Sequence, residues 1–458
     1  MKIKRKKILR FIKKEYNKDK LNYYQWKEED IMRLKSVKIE GFRNIKEGEI
    51  NFGNEMTSLV SENSYGKSNL MEAIDFAVDF IHSSTSARNS MMAWKQGIPL
   101  NKKTAKRDFK VDFMLEVDFQ DEKYEINYGF SFVWIKNDGG RKISGEWLNA
   151  RKVDGGKKYI KLISREDRPL FKSSQTGRCS SVIKIADDEL IINKLMNYDD
   201  LYYMSILEEI NNISVYVERH FDASSLYQKN PLVLKGEEET ELMDFSDMPR
   251  MIYRLKKYHQ PQFELLTDTF KQLFPNITDI EVQEFDIGQN HRISISNDAP
   301  YTISNKVYSI FVKDENLNQP LDFTSISDGA KRVFLMLTFA VVANIQNMTL
   351  IAFEEPENSI HPSLLQGYLR VLTQLAGDCK IIVASHSPYI IEYVSTEDIY
   401  VGKPNSYGLA EFVRIDAGKV KRLENDASDN GVSVGSYIFE LLSGGEDEIE
   451  LLNTYLEK

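Results

Sequence analysis

The residues best suited to chemistry begin at Gly66-Lys67-Ser68, directly after a short apolar strand predicted at Ser58–Val60. The loop before them is made of small and polar residues, namely Ser61, Glu62, Asn63, Ser64 and Tyr65. In a strand–loop–helix unit of this kind, the loop amides and the helix N-terminus form a cradle for an anion. The Lys67 ammonium suits phosphate oxygens, and the Ser68 hydroxyl suits Mg²⁺. Ser61 stands where the usual phosphate-loop pattern has its first glycine.

Two adjacent carboxylates form the second candidate group. The apolar run Thr349–Phe353 is followed by Glu354, Glu355 and Pro356. A continuous apolar run of this length is typical of a parallel strand covered on both faces. Ligands of open α/β sheets bind outside the carboxyl ends of such strands. We therefore expect Glu354 to hold Mg²⁺ and Glu355 to orient a water for attack on a phosphate.

Two further motifs follow the same logic. The apolar strand predicted at 380–385 ends at His386, and we expect it to lie beside the Glu354 strand. Ser327, Asp328 and Gly329 stand just before the apolar helix Val333–Ile345, where a hydroxyl and backbone amides face outward. The alternative for this second motif is a simple helix N-cap made by Ser327 or Asp328.

Strands and helices that would position these motifs can be predicted from periodicity. Residues 34–39 alternate as a half-buried strand, and 111–119 and 124–134 alternate as the two strands of an antiparallel hairpin. Further strand-like runs occur at 277–285, 292–296 and 307–312. One helical face in the middle of the chain ends at Pro275 and consists of Phe263, Leu266, Phe270, Leu273 and Phe274.

Composition indicates a globular protein of more than one domain, with 458 residues, 42% of them hydrophobic and 28% charged. Net charge is −9, although residues 1–20 carry ten Lys/Arg against Glu15 and Asp19. An acidic bulk excludes a general polyanion binder, so any nucleic-acid contact must come from a local basic surface. Two distant cysteines and no apolar run long enough to span a bilayer predict a cytoplasmic protein without integral membrane association.

Taken in order, the four motifs resemble ABC-type ATPases of the SMC/RecF/OLD-like class. The resemblance covers about 32–135 and 306–400 and includes the opening LKSVKIEGFRNI. It implies an α/β fold, namely an ABC-type ATPase head (two-lobed mixed sheet with flanking helices) with a mixed α/β insertion. It also assigns the motifs: Walker A at Lys67-Ser68, signature at Ser327-Asp328-Gly329, Walker B at Glu354-Glu355, D-loop at Asn358–Pro362 and switch at His386.

The resemblance further implies ATP and Mg²⁺ as cofactors, with slow or regulated hydrolysis. It makes Glu355 and His386 catalytic, and Ser68 and Glu354 the metal ligands. It implies a homodimer or higher homo-oligomer assembled through the ATP sites. The expected cofactor-binding residues are Arg43, Asn63, Ser64, Tyr65, Gly66, Lys67, Ser68, Asn69, Ser327, Asp328 and Gly329. The glutamine of the Q-loop is not assigned, since Gln96 is only a weak candidate.

Expected domains are a basic extension at 1–31, ATPase parts at 32–164 and 306–402, a mainly helical insertion at 165–305, and a C-terminal extension at 403–458. Met32 is an alternative start. Ser327 lies 259 positions after Ser68 with no heptad pattern between them, and 72 residues follow His386, too few for a Toprim nuclease. The pattern therefore resembles a stand-alone ATPase subunit of bacterial abortive-infection or anti-phage systems that regulates a separate effector protein. Alternatives are a RecF-like DNA-repair ATPase and an OLD-like nuclease component.

Overall fold

The computed structural model describes residues 32–53, 56–105, 107–135, 139–198, 200–219, 223–235, 242, 247–288, 300–403 and 407–457. The predicted basic extension at 1–31 lies outside the described residues. The predicted strand at 292–296 lies outside them as well.

One lobe is built on an eight-stranded antiparallel sheet with the order β2-β1-β4-β5-β6-β7-β8-β9. Its strands are β1 (Arg33–Phe42), β2 (Ile45–Asn51), β4 (Phe109–Phe119), β5 (Glu122–Val133), β6 (Lys142–Lys152), β7 (Ile160–Arg165), β8 (Pro169–Phe171) and β9 (Ser181–Val182). Inward side chains of β4 and β5 are buried at every second position, which confirms the predicted hairpin. Its turn is shorter than predicted, because Gln120 and Asp121 both take positive φ and close it in two residues.

A six-stranded sheet forms the other layer, in the order β10-β16-β17-β3-β18-β19. The first five strands are parallel and β19 is antiparallel to β18. They are β3 (Met56–Val60), β10 (Val215–Glu218), β16 (Leu350–Glu354), β17 (Lys380–Ser385), β18 (Ile399–Gly402) and β19 (Phe412–Arg414). Because β16, β17 and β3 are neighbours, their carboxyl ends bring Glu354, His386 and the loop after Val60 to one edge.

Helix α1 (Lys67–His82) lies between the two sheets and contacts β1, β2 and β10. Its buried residues join one core with the inward faces of the antiparallel sheet and with alternate residues of the parallel sheet, such as Leu59 and Ile382. The other face of the parallel sheet, including Val60 and Val383, packs in a second core with α7 (Asp328–Ile345) and α8 (Pro362–Ala376). Each parallel strand is thus covered on both faces, as its continuous apolar sequence predicts.

The remaining elements surround these cores. Helices are α2 (Thr85–Met92), α3 (Ile191–Leu195), α4 (Met204–Asn211), α5 (Met248–Tyr258), α6 (Gln260–Leu273), α9 (Pro388–Ile391), α10 (Val420–Asp429), α11 (Val434–Leu442) and α12 (Glu446–Asn453). Strands are β11 (Leu232–Leu234) paired with β13 (Tyr301–Ile303), and β12 (Ile277–Asp286) paired with β14 (Lys306–Asp314), which also pairs with β15 (Leu321–Asp322). No helix within the described ranges combines the length and the apolarity that crossing a membrane requires.

The architecture is the predicted α/β fold with two lobes and mixed sheets. The middle segment, 165–305, was expected as a mainly helical insertion, but it also contributes strands to both sheets. It supplies β8 and β9 to the antiparallel sheet, and β10 lies beside β16 at the edge of the parallel sheet. Strands of two to four residues are too short to show periodicity, which is why the sequence indicated mainly helices here.

Candidate functional site

The loop from Ser61 to Gly66 connects β3 to the first turn of α1. Gly66 precedes the helix with φ +131°, a conformation that side chains rarely adopt. A Cβ at Gly66 would also lie 2.7 Å from Ala410 Cβ, so glycine is required on both grounds. Ser64 has φ +59°, whereas Ser61, at the position where a glycine is usual, is fully buried. Ser68 and the loop residues Asn63 and Ser64 are exposed.

The Lys67 ammonium lies beneath this loop and is largely buried. It donates to Ser61 O at 3.0 Å, Ser61 Oγ at 3.1 Å and Glu62 O at 3.2 Å. Burial lowers the pKa of Lys67 to about 8, although the negative charges of Glu355, Glu354 and Glu357 act to raise it. The charged form of Lys67 has therefore lost much of its hydration, and the nearby carboxylates partly compensate for that loss.

His386 connects the phosphate loop to the acidic end of β16. Its Nδ1 is 3.2 Å from Lys67 Nζ, and its Nε2 is 3.8 Å from Glu355 Oε1. An ammonium can only donate, so a hydrogen bond between these two nitrogens requires the tautomer with Nδ1 as acceptor and the ring proton on Nε2, facing Glu355. Burial and the Lys67 charge lower the pKa of His386, whereas Glu355 raises it. The predicted juxtaposition of the His386 and Glu354 strands is thus present.

Glu355 is held in an unusual backbone conformation. Its φ is +47°, in the left-handed region, and its N–H donates to Ala384 O of β17 at 2.8 Å. Its side chain accepts from Asn358 Nδ2 at 2.5 Å. Left-handed backbone at a non-glycine residue costs energy and persists only where surrounding contacts hold it. The carboxylate of Glu355 is therefore aimed by the backbone at the edge where Lys67 and His386 lie.

The residues of the predicted signature lie at the start of α7. Ser327 caps the helix, accepting from Ala330 N at 3.3 Å, so the N-cap interpretation holds for this free chain. Asp328 accepts from Ser224 Oγ at 3.1 Å and from Lys331 Nζ at 3.0 Å. A Cβ at Gly329 would lie 2.2 Å from Ser359 O, which means that the signature packs directly on the predicted D-loop. Ser327 and Asp328 are exposed.

The sequence profile of the family described as "AAA domain, putative AbiEii toxin, Type IV TA system" matches residues 57–392. That range begins in β3, ends after His386 and contains every motif described above except Arg43. The chain belongs to this family.

Relatives of this AbiEii-type AAA domain include two curated proteins. The DNA double-strand break repair Rad50 ATPase of Methanococcus maripaludis is 22% identical over 260 residues, 55% of this chain and 23% of the relative. The DNA replication and repair protein RecF of Gloeothece citriformis is 46% identical over 44 residues, 10% of this chain and 12% of the relative. Each match thus spans less than a quarter of the relative's length. Over these segments the chain is similar to ATPases of the Rad50 and RecF type.

Solved structures similar to this AAA domain include SMC heads. A structure of the Smc head bound to the C-terminal winged-helix domain of ScpA is 14% identical, covering 85% of this chain and 99% of that chain with a TM-score of 0.48. A second Smc head, bound to the C-terminal domain of ScpA derived from Pyrococcus furiosus, is 12% identical over 87% of this chain and all of that chain, also with a TM-score of 0.48.

Arg43, which precedes the matched AAA domain, lies in the turn between β1 and β2 with φ +47°. Its guanidinium donates to both oxygens of Glu72 on α1, at 2.5 and 2.7 Å, and to Asn69 Oδ1 at 2.8 Å. Gln96 contributes its main-chain oxygen to Arg43 at 2.9 Å. The sequence placed Arg43 and Asn69 at the cofactor. In this structure the Arg43 side chain donates to Asn69 and to Glu72. Both lie on the first turns of α1, which leads from the phosphate loop.

Tyr65 anchors the phosphate loop to the end of the parallel sheet. Its hydroxyl donates to Lys403 O and accepts from Glu411 N, and its ring packs edge-on against Phe412 at 5.5 Å. Asn44 Nδ2 donates to Tyr65 O at 2.8 Å. Tyr65 therefore positions the loop, and Asn44 supports it. Sequence reasoning missed Asn44, although its place beside Arg43 in the opening motif was a usable signal.

Glu357 and Ser385 are a second pair that sequence reasoning missed. Ser385 Oγ donates to Glu357 Oε1 and accepts from Ser387 N. Burial raises the pKa of Glu357, against the effect of the Ser385 hydrogen bond. The third acid of the Glu-Glu-Pro-Glu run was the available signal. These contacts fix the turn that carries His386.

The residues at this edge fit a Mg²⁺–nucleotide ligand. Mg²⁺ is usually bound through one or two protein oxygens together with substrate phosphates, rather than by a complete protein cage. The exposed Ser68 hydroxyl and the half-buried Glu354 provide such a partial set. The part of the chain that the structure describes has no group of three His, Cys, Asp or Glu side chains that could hold a metal alone.

Proposed function

We propose that this chain binds ATP with Mg²⁺ at the Lys67 loop and hydrolyses it slowly or under regulation, with Glu355 as the residue that activates water. The observation that carries the proposal is the convergence of Lys67, His386 and Glu355, which meet within 3.2 and 3.8 Å although 319 residues separate the first two. Lys67 is cationic, His386 neutral and Glu355 anionic, and all three lie at one edge of the sheet. Phosphoryl transfer depends mainly on positioning the reactants and stabilising charge, which such a set of side chains can do.

Each group has a distinct role in the proposal. The loop amides, including those of Asn63 and Ser64, and the Lys67 ammonium neutralise the outer phosphates. Glu355 accepts a hydrogen bond from the attacking water and withdraws its proton. His386, with the proton on Nε2, donates toward the γ-phosphate oxygen or toward Glu355. Ser68 and Glu354 would hold Mg²⁺, which when bound would supply further charge neutralisation.

The site is completed, in this proposal, by Ser327, Asp328 and Gly329 of a second copy of the chain. Ser327 and Asp328 are exposed at the start of α7, where backbone amides and a hydroxyl can face a phosphate. One phosphate loop leaves the far side of the γ-phosphate open to solvent. Donors from a second subunit close it, so ATP would stabilise a homodimer or a higher homo-oligomer.

We infer that the ATP-dependent assembly regulates a separate effector protein in anti-phage defence, in the cytoplasm. The support is the family description, which names an AbiEii toxin and a toxin–antitoxin system, and the two free cysteines, which suit a reducing compartment. A RecF-like role in DNA repair is the second candidate, supported by the short RecF match at 46% identity. Copurification of the adjacent gene product with this chain, rather than of DNA, would favour the defence role.

Glu355→Gln tests the hydrolytic site and the assembly together. The amide keeps the shape and the hydrogen bond to Asn358 but removes the charge that activates water. We expect ATP binding to persist, turnover to fall at least a hundredfold, or about 2.7 kcal/mol in the barrier, and an ATP-dependent dimer or larger species to accumulate in light scattering. A variant of unchanged size with and without ATP would contradict the two-subunit site.

Combining Glu355→Gln with Ser327→Arg separates the two halves of the proposal. The arginine places a bulky cation at the expected seam, so the assembly should dissolve while each chain still binds ATP. Arg370→Glu is the matched control, because Arg370 is exposed on α8. If the double variant with Ser327→Arg still assembled, the signature residues would have no role in the two-subunit site.

A further inference from the structure

A basic groove lies at the far edge of the antiparallel sheet, between β6, β7 and the connection from β8 to β9. Its volume is about 620 Å³, within the range of small-molecule sites. None of the described residues that line it is acidic. Those residues are Arg151, Lys152, Gly155, Gly156, Lys158, Tyr159, Ile160, Lys161, Lys172, Gly177, Arg178 and Cys179.

The groove concentrates positive charge in an acidic protein. Residues 151–184 contain ten Lys/Arg and three Asp/Glu, whereas the whole chain has a net charge of −9. Like charges gathered on one surface repel each other and destabilise the folded chain unless an anion neutralises them. Because the chain as a whole is acidic, any contact with nucleic acid requires a local basic surface of this kind.

Lys172 supplies the strongest single observation. It is 4% exposed, and its Nζ donates to Ser174 O at 2.7 Å and to Gln175 O at 2.5 Å. Its ammonium lies 5.1 Å from the ring centre of Tyr202. Within the described ranges, Lys172 has no carboxylate at ion-pair distance. A buried cation without a counter-charge is unfavourable, and an ammonium has three donors, so one remains for a ligand oxygen.

The exposed rim of the groove carries cations that are also available. Lys158 and Arg178 are exposed, and neither forms an ion pair with any residue that the structure describes. By contrast, Arg151 pairs with Glu125 at 2.7 Å and Lys152 pairs with Glu122, outside the groove lining. The charge not already neutralised by the protein is therefore at Lys158, Arg178 and Lys172.

We propose that this groove binds the phosphate groups of a nucleotide-type ligand, supplied as a single strand of nucleic acid or as a free nucleotide. Three features favour this class over an acidic peptide. The segment between Lys172 and Gly177, two residues of the lining, consists of exposed side chains with uncharged donors of the kind that bind phosphate and sugar oxygens, namely Ser173, Ser174, Gln175 and Thr176. Gly155, Gly156 and Gly177 allow close approach of a ligand to the backbone. Tyr159 and the exposed Ile160 provide apolar surface for a base.

The groove is separate from the ATP site. Arg43 follows β1, and β7 lies four strand positions further along the same sheet, or roughly 19 Å at 4.8 Å for each strand. Occupancy of the groove does not depend on the proposed hydrolysis, so the two proposals fail separately.

The first test compares two double variants of the full chain. Lys158→Glu with Arg178→Glu reverses charge in the groove, and Arg370→Glu with Lys421→Glu makes the same change at exposed sites on α8 and α10. Fluorescence anisotropy with a labelled 12-nucleotide single strand should show at least tenfold weaker binding for the groove variant and less than twofold for the control. The slope of log affinity against log salt should fall by about 1.4 for two lost phosphate contacts. Basal ATP hydrolysis should be equal in both variants.

The second test uses Cys179 of the unaltered chain as a local reporter, because the basic residues at 1–20 also attract nucleic acid. Cys179 is partly exposed and lines the groove, whereas Cys379 is buried and serves as the reference. Burial raises the pKa of the Cys179 thiol, so its labelling by a maleimide at pH 8 is slow enough to follow. The single strand should slow labelling of Cys179 at least fivefold and leave Cys379 unchanged, and this protection should disappear in the groove variant.

Competing ligands distinguish the sources. Protection by AMP or GMP at micromolar concentration identifies a free nucleotide, and protection only by the strand identifies nucleic acid. Protection by a poly-glutamate 12-mer but by no nucleotide would overturn the proposal in favour of an acidic protein partner. Absence of protection by every probe would also overturn it, as would equal loss of binding in the groove and control variants.

Discussion

Arg332 donates through Nη2 to the main-chain oxygen of Glu354 at 2.7 Å and thereby joins the helix of the signature to the acidic end of β16. The same nitrogen is 3.1 Å from Glu355 O. Arg332 is buried, three residues beyond Gly329 on α7. A movement of the signature is thus transmitted to the backbone that aims the Glu355 carboxylate.

Replacing Arg332 by lysine should therefore impair turnover more than nucleotide binding. A lysine ammonium is a compact charge on a flexible stem and lacks the rigid, planar guanidinium that holds Nη2 against both carbonyl oxygens. We expect kcat for ATP to fall about tenfold with KM changed less than threefold, and the free energy of unfolding to fall by about 1–3 kcal/mol, since buried carbonyls lose a charged donor. Arg370→Lys on the exposed face of α8 is the control and should change neither quantity. A larger effect on KM than on kcat would contradict the coupling.

Lys67→Ala should weaken ATP binding at least tenfold, about 1.4 kcal/mol. The side chain is the buried cation of the loop, and nothing else in the first turn of α1 replaces its charge. Titration with a fluorescent ATP analogue measures the effect, and Lys46→Ala, in β2, is a suitable surface control. Unchanged affinity would show that the loop from Ser61 to Gly66 is only structural.

Alkaline pH should weaken nucleotide binding in the unaltered chain. Burial lowers the pKa of Lys67 from 10.5 to about 8, so the ammonium is lost above that pH and must be regained on binding a polyphosphate. The dissociation constant should be flat below pH 7.5 and rise by up to about tenfold for each pH unit above 8. Lys67→Arg, whose charge persists, should bind with a flat profile between pH 7 and 9.5.

The same pKa shift has a consequence for stability of the free chain. Between about pH 8 and 10.5 the unfolded chain holds a proton on Lys67 that the folded chain has released. The contribution of Lys67 to the free energy of unfolding therefore rises with pH in this window. The difference in unfolding free energy between the unaltered chain and Lys67→Met, measured by urea denaturation at pH 7.5 and 9.5, should shift in favour of the unaltered chain at the higher pH.

His386 should titrate at higher pH once the neighbouring ammonium is removed. After burial, the charge of Lys67 is the largest effect lowering the pKa of His386, and its Nδ1 is 3.2 Å from Lys67 Nζ. Histidine NMR resonances of Lys67→Ala should show an upward shift in the pKa of His386. Ser68→Ala is the control, since Ser68 is exposed and carries no charge. An unchanged His386 pKa in Lys67→Ala would contradict the direct contact.

Gly329→Ala should separate nucleotide binding from assembly. An added Cβ would meet Ser359 O at 2.2 Å, so the start of α7 or the loop at Ser359, whose φ is +62°, must move. We expect unchanged ATP affinity in the single chain but loss of the ATP-dependent assembly in the Glu355→Gln background. Gly367→Ala on α8 is the control, because its Cβ would have only an ordinary contact at 3.7 Å. Assembly of the Gly329→Ala protein would contradict the role of the signature.

Local pattern alone determined several parts of this protein. Alternating burial in β4 and β5 follows from a periodicity of two residues. The helix predicted at 333–345 and the buried strands ending at Glu354 and Ser385 follow instead from continuous apolar runs. The Gly66-Lys67-Ser68 sequence identified the loop because it follows a short apolar strand and opens a helix, and glycine allows the φ of +131° observed there. Such features depend on residues within a few positions of one another, so they can be predicted from the sequence alone.

Only the tertiary structure decided which distant groups meet. Strand order places β17 between β16 and β3, and that order alone brings His386 to Lys67. The tertiary structure also brings Arg332 to the main chain of Glu354 and the Tyr65 hydroxyl to Lys403 O. It places β10 beside β16, and it places Lys158, Lys172 and Arg178 around one groove. These contacts depend on strand order, register and crossing of elements far apart in the chain. No periodicity encodes them, because periodicity reports which face of an element is buried and not which partner covers it.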